Sequence, residues 1–236
     1  IKIRLYPVLM ASALFLALAV GGIFFMVSGY NPFQVYWLIL KGAFGSGKSF
    51  LTTLHYATPL ILSGLAFTVA KQANIMNLGG EGQIYVGAMT AAVVGTFFPQ
   101  LPKVLYVPLV LLTAFAASGL YGGIAGFLDV KFGSNIVIVT IMLNYIAINL
   151  LGIAVRTFLM DPAGSIPQSP KLDPSVTLYR FLKPTRLHAG FIIAVLMVFL
   201  VWFILEKTTV GYEIKVVGFN KRAAACNGIS VVRNII

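Results

Sequence analysis

Charge is what this sequence has least of. Only 10% of its 236 residues are charged, against roughly 25% in soluble globular domains. A chain so poor in charge cannot clothe a water-facing surface, so a soluble globule is excluded. Acids are the scarcer sign: 6 Asp+Glu stand against 17 Lys+Arg, a formal net charge of +11. The cations come one or two at a time between long apolar runs rather than on one arm or face, which argues against nucleic-acid binding and for loops anchored at anionic membrane surfaces. The single cysteine, Cys226, excludes an internal disulfide and suggests no metal cluster. Paired carboxylates, metal-ligand clusters and activated nucleophiles are missing from the apolar runs, which speaks against a membrane-embedded enzyme and implies no cofactor.

Apolar sequence, at 59% of residues, fills the space that charge leaves. No charge lies between Arg4 and Lys41, with residues 5–27 the apolar part. Further uncharged stretches lie between Lys48 and Lys71, Glu81 and Lys103, Lys103 and Asp129, Lys131 and Arg156, and Arg186 and Glu206. About 20 residues of helix cross the hydrocarbon, and backbone groups there must be satisfied internally. These six stretches are therefore expected to be transmembrane helices of an all-α polytopic bundle. The first is longer than the roughly 7–15-residue core of a secretion signal and is read as a retained helix.

The connections differ in kind. Residues 30–49 are aromatic and glycine-rich, as suits an interfacial segment. Residues 161–187 hold Pro162, Pro167, Pro170, Pro174 and Pro184 and read as an ordered extramembrane loop. Counting cations on the two sides yields nine against eight, which leaves orientation open. Ile1 at one end and an apolar Asn234-Ile235-Ile236 at the other read as a fragment of a longer chain. Gly87, Ala91 and Gly95 recur every fourth residue, as do Gly122 and Gly126, a spacing that suits close helix packing.

Residues 42–49, GAFGSGKS, satisfy the phosphate-loop pattern. That loop needs a strand before it and an α/β domain around it, and neither is legible here, so the match is set aside. Three other elements carry more. NLGGEGQ, residues 77–83, is polar and glycine-rich between apolar stretches: either a helix break that exposes backbone to a substrate, as in transporters, or a turn at the membrane surface. Thr140, Asn144, Tyr145 and Asn149 interrupt the fifth stretch, and amides there either join helices or line a path. Lys221-Arg222-Ala223-Ala224-Ala225 after Asn220 favours a short helix closed by Gly228, a charged surface between spans on which a soluble partner can dock.

GYEIKVVGFNKRAAACNGI, residues 211–229, resembles the ATPase-contacting loop of bacterial ABC importer permeases, in the branch for simple sugars, branched-chain amino acids and nucleosides. NLGGEGQ with the preceding TPLILSGLA, and VTIMLNYIA at 139–147, resemble its nucleoside-type members. Ile136 departs from the glutamate that often stands there in the family, and the family usually continues with further spans. The resemblance implies one permease domain over residues 1–236 in a bacterial plasma membrane. It implies as partners a separate ABC ATPase subunit, a second permease subunit and an extracytoplasmic binding protein that docks on an outer loop at 161–187. Residues 206–228 would face the cytoplasm as the coupling loop, with Gly211, Glu213, Gly218, Asn220, Ala223, Ala224 and Gly228 its working residues. Asn77, Glu81, Gln83, Asn144 and Asn149 would line the substrate path, for nucleosides. The alternatives are a sugar, branched-chain amino acid or signalling furanone as cargo and, more remotely, an ATPase that uses residues 42–49.

Overall fold

The computed structural model describes residues 2–98, 101–162, 164, 166–181 and 185–236, with side chains from residue 8 onward. Lys183 and Pro184 of the proline-rich loop, and the side chains of Lys2 and Arg4, lie outside the described residues. Ten helices account for nearly all the regular structure, and the extended backbone is limited to one isolated bridge, Arg180 to His188, among the described residues. The chain is an all-α integral membrane protein. It divides into two compact units, Ile1–Ala57 with Phe181–Leu187, and Thr58–Arg180 with His188–Ile236.

In the first unit, helix α1 (Lys2–Val27) is followed by α2 (Pro32–Phe44). Asn31 caps α2 by accepting the Phe33 N–H, and Pro32 fills a first-turn position whose N–H would have no helical partner. The segment expected to be interfacial is thus helical, and it folds back on α1. The Tyr36 hydroxyl donates to the Leu18 carbonyl at 2.6 Å, and its ring meets Phe25 edge-on. Gly21 makes room, since a side chain there would come within 2.9 Å of the Tyr36 hydroxyl. The 13 residues of α2 rise about 20 Å, short of the ~30 Å hydrocarbon core.

The second unit begins within α3 (Gly47–Gln72) and is built around α4 (Gly80–Phe97), which packs on both α5 (Lys103–Phe132) and α6 (Ile136–Ala154). Small residues let these helices close up. A side chain on Gly82 would strike Asn144 of α6, one on Gly87 would strike Ser118 of α5, and one on Gly95 would meet Leu172 of the following loop. Ala91 packs with Val94 on a buried cluster of Tyr106, Val110 and Val176. That cluster ties Val176 of the 161–187 loop to the C-terminal end of α4. Helix α7 (Gly190–Lys207) packs on α8 (Thr209–Phe219), and the short helices α9 (Lys221–Cys226) and α10 (Val231–Ile235) follow.

Among the described residues, five helical segments are long and apolar enough to cross a membrane: Val8–Val27, Gly47–Gln72, Lys103–Phe132, Ile136–Ala154 and Gly190–Lys207. The stretch between Glu81 and Lys103, expected as a sixth, is not among them. It forms α4, 18 residues long, whose first turn carries Glu81 and continues to Gln83. A helix covered by α5 and α6 is freed from the demand for an apolar surface that lipid imposes. By contrast, rows of large apolar side chains on α1, α5 and α7 stand exposed, such as Phe15, Leu120 and Phe199, as expected of surfaces that face lipid tails.

Tyr106 is fully buried and its hydroxyl donates to the Val94 carbonyl at 3.0 Å. Tyr106→Ala is expected to cost about 3 kcal/mol through the cavity it opens, and Tyr106→Phe about 1 kcal/mol through the lost hydrogen bond. Thermal unfolding of the purified protein in detergent reads the difference.

Candidate functional site

The helical ladder stops at Gln72 and resumes at Gly80. Asn74 turns the chain with a φ of 56°, a left-handed conformation that asparagine tolerates better than most residues. Backbone groups that leave a helix need other partners, and α6 supplies two of them. The Asn144 side chain donates to the Leu78 carbonyl at 2.9 Å and accepts the Gly82 N–H at 2.8 Å. One turn earlier, the Thr140 hydroxyl accepts the Leu78 N–H at 3.3 Å. Asn77 closes the turn from within by accepting the Gly79 N–H at 2.7 Å. One amide thus satisfies an orphan carbonyl before α4 and an orphan N–H in its first turn.

The break opens a cleft of about 330 Å³, at the lower end of the roughly 300–1,000 Å³ usual for small-molecule sites. Its α3 wall is Ser63, Gly64, Ala66 and Phe67, and the break with the start of α4 contributes Asn77, Leu78, Gly80, Glu81 and Gln83. Asn77, Glu81 and Gln83 are therefore brought together. Asn144 stands behind the break as its clamp rather than in the cleft lining. Asn149 is exposed on α6, where its amide donates to the Tyr145 carbonyl of its own helix. Glu81 is exposed and makes no ion pair among the described residues. The Gln83 side chain lies over Gly122 of α5, where a methyl group would come within 2.7 Å of its amide nitrogen. Gly122 thus serves a site residue as well as helix packing.

A second constellation begins at Thr208, whose extended backbone ends α7 and whose hydroxyl accepts the Gly211 N–H to start α8. Gly211 packs so tightly on the backbone of Ile204 and Leu205 that any side chain would collide. Gly218, at the far end of α8, lies flat against the last carbonyl of α3, on Gln72, with equal intolerance of a side chain. Asn220 turns the chain and caps α9, accepting the N–H groups of Arg222 at 2.9 Å and Ala223 at 3.1 Å. Ala224 is fully buried, whereas Ala223, Lys221 and Arg222 are exposed. Gly228, with a φ of 77°, closes α9: its N–H bonds to Ala225 and that of Ile229 to Ala224.

Glu213 pairs with Arg233 and accepts from Asn234 at 3.2 Å, which joins α10 to α8. The Arg233 hydrogen bond, with help from Asn234, holds the Glu213 carboxyl below the usual glutamate range. Lys215 pairs with Glu206, and Lys221 approaches Asp129 at the end of α5 to 3.9 Å. A cleft of about 440 Å³ separates α8 from the turn after α9, lined by Tyr212, Glu213, Val216, Asn227 and Ile229.

Residues 49–236 match the protein family described as the branched-chain amino acid transport system / permease component. The chain belongs to this permease family. Among the most similar relatives is the guanosine ABC transporter permease protein NupP of Bacillus subtilis, 40% identical over 95% of this chain and 65% of its own length. The nucleoside ABC transporter permease protein NupB of Lactococcus lactis is 33% identical over 92% of this chain and 62% of its own. The glucose ABC transporter permease protein TsgB13 of Haloferax volcanii is 32% identical over 91% and 59%. The permease chain thus spans about two thirds or less of the length of these relatives. No solved structure matches it.

The phosphate-loop pattern dissolves in the permease fold. Residues 42–44 end α2 and Gly47 begins α3, so two residues, Gly45 and Ser46, make the turn. Ser46 caps α3 by accepting the Ser49 N–H at 3.1 Å. No cradle of free N–H groups can form in so short a turn.

Sequence reasoning missed Ser63, Phe67 and Thr208. The first two offered a signal, a hydroxyl and an aromatic ring one turn apart beside a glycine. Replacing Asn144 with Leu is expected to destabilise the permease by about 2 kcal/mol, because it strands both backbone groups. Faster hydrogen exchange at residues 78–82, with the rest of α4 unchanged, is the measurement that checks the clamp.

Proposed function

We propose that the chain is part of the membrane-spanning subunit of an ABC importer in a bacterial plasma membrane, and that its cargo is a nucleoside. The similarity to guanosine and nucleoside permeases over more than nine-tenths of this chain carries the reading. The cleft supports it with a carboxylate, two amides, a hydroxyl and an aromatic ring, groups that suit a molecule with both sugar hydroxyls and a planar base. ATP is hydrolysed on a separate subunit that docks on α9. A second permease subunit completes the path, and an extracytoplasmic binding protein delivers the solute to the 161–187 loop. Residues 1–236 act as one permease domain.

Orientation follows from α7, whose 18 residues, charged only at Glu206 and Lys207, alone separate that loop from α8 and α9. If α9 meets the ATPase, it faces the cytoplasm and the loop faces outward. Helix α4 then runs from the inside, where Gln72 meets Gly218, to the outside, where Gly95 meets Leu172. The cleft lies near its inner end. Asn77, Glu81 and Gln83 contact solute there, and Asn144 positions them by holding the break closed. Gly211, Glu213, Asn220, Ala223, Ala224 and Gly228 shape the elbow that bears α9, and Gly218 transmits its displacement to the end of α3. Because that end leads directly into the break, the motion reaches the cleft within a few residues. Alternating access then needs only small rocking of one bundle against its partner.

The glucose permease among the relatives favours a second reading, a free sugar as cargo. Uptake of labelled guanosine and labelled glucose into vesicles bearing the full transporter separates the two, with guanosine expected to enter and glucose not. Glu81→Ala is expected to reduce guanosine uptake at least about a hundredfold, as when a solute hydroxyl pair loses its charged acceptor, while the complex still assembles. Normal uptake by that variant removes Glu81 from the path. Gly218→Leu is expected to leave ATPase docking intact and ATP hydrolysis running while uptake is lost. Tight coupling in that variant refutes the transmission role.

A further inference from the structure

We infer that Ser63 and Phe67 of α3 form the half of the cleft that receives a nucleobase, facing a polar half that receives the ribose hydroxyls. The inference rests on the nucleoside reading above and assigns the parts of that solute to the two walls. Ser63 and Phe67 stand four residues apart, hence on one helix face, and both line the cleft. Their neighbours in that wall, Gly64 and Ala66, are too small to cover the ring, and Phe67 remains 41% exposed. A phenyl face so presented stacks on any planar heteroaromatic base, a contact driven by ring overlap and tolerant of base identity. The Ser63 hydroxyl lies one turn earlier in the same wall, where a methyl group on Gly80 would come within 3.3 Å of it. A hydroxyl both donates and accepts, so it reads the edge of a base that the ring has stacked.

The facing wall has different chemistry. The Glu81 carboxylate has two acceptor oxygens, the geometry that takes both hydroxyls of a vicinal diol. Asn77 has its oxygen engaged by the Gly79 N–H, which leaves its amide hydrogens for an acceptor on the solute. The Gln83 amide is kept in place by the missing side chain of Gly122. Apolar and stackable on one side, acidic and amide-bearing on the other, the cleft separates the two ends of a nucleoside.

The test is equilibrium binding of tritiated guanosine and 2′-deoxyguanosine to the full-length permease in complex with its ATPase, in detergent and without the binding protein. Phe67→Leu is expected to weaken both ligands about tenfold, the scale of one lost stacking contact, and to leave their affinity ratio as in wild type. Glu81→Gln is expected to collapse that ratio towards one. Phe67→Tyr keeps the ring and should bind both within about twofold of wild type. Ser63→Ala, the smaller change, serves if Phe67→Leu fails to assemble: it should weaken both ligands about fivefold at constant ratio. Guanosine affinity unchanged in Phe67→Leu, or in Ser63→Ala where that variant stands in, overturns the inference, as does loss of the ribose preference in either. Wild-type complex that imports guanosine with its binding protein but binds none in detergent also overturns it and leaves the function standing. A transporter that imports no nucleoside removes both.

Discussion

Backbone amides and carbonyls that leave a helix need partners elsewhere, and residues 73–79 of this permease leave one. The last turn of α3 and Asn77 supply some of their partners, and one face of α6 supplies the long-range ones. Asn144 bonds on both sides of the break and Thr140 one turn away, and Gly82 brings the backbone of α4 close enough for the Asn144 contact to form. Everything that makes the cleft follows from this arrangement. An unbroken helix from α3 into α4 would bury Glu81 and Gln83 along its side and leave no concavity. A break without Asn144 would leave the Leu78 carbonyl and the Gly82 N–H without these partners.

The same constraint explains how α4 can begin with polar side chains. Packed on both α5 and α6, it tolerates a glutamate and a glutamine near its start and four glycines along its length. The glycines exclude lipid by letting helices touch backbone to side chain, and the polar residues use the room that remains. At the opposite end of the same helix, Gly95 takes Leu172 and the Tyr106 cluster takes Val176. One helix therefore joins the 161–187 loop to the break.

The α8–α9 elbow shows how an outward basic surface is built by residues that lie behind it. Gly211 and Gly218 allow close approach, Asn220 and Gly228 cap a six-residue helix, and Ala224 is buried beneath it. What remains outward is Lys221, Arg222 and Ala223. The exposed ion pairs around them, Lys215 with Glu206 and Arg233 with Glu213, steady the elbow modestly, since such pairs are each worth ~1 kcal/mol or less.

Much of this was legible in order along the chain. Uncharged stretches announce lipid-crossing helices because a charge in hydrocarbon is prohibitive, and the Ala-rich run between Asn220 and Gly228 announces its own caps because those bonds span only three or four residues. The stretch after Glu81 shows the limit of that signal: absence of charge reports burial, and burial by protein and burial by lipid look alike in composition. The two readings of Asn144, helix clamp or path lining, differ only in what stands opposite, and so do the roles of Ser63, Phe67 and Gly218. Local sequence determined the helices, their caps and the place where the ladder fails. Tertiary packing alone decided which side chains meet across that failure, because contacts such as Asn144 with Gly82 join residues 62 positions apart, and no short-range rule of backbone or propensity acts over that distance.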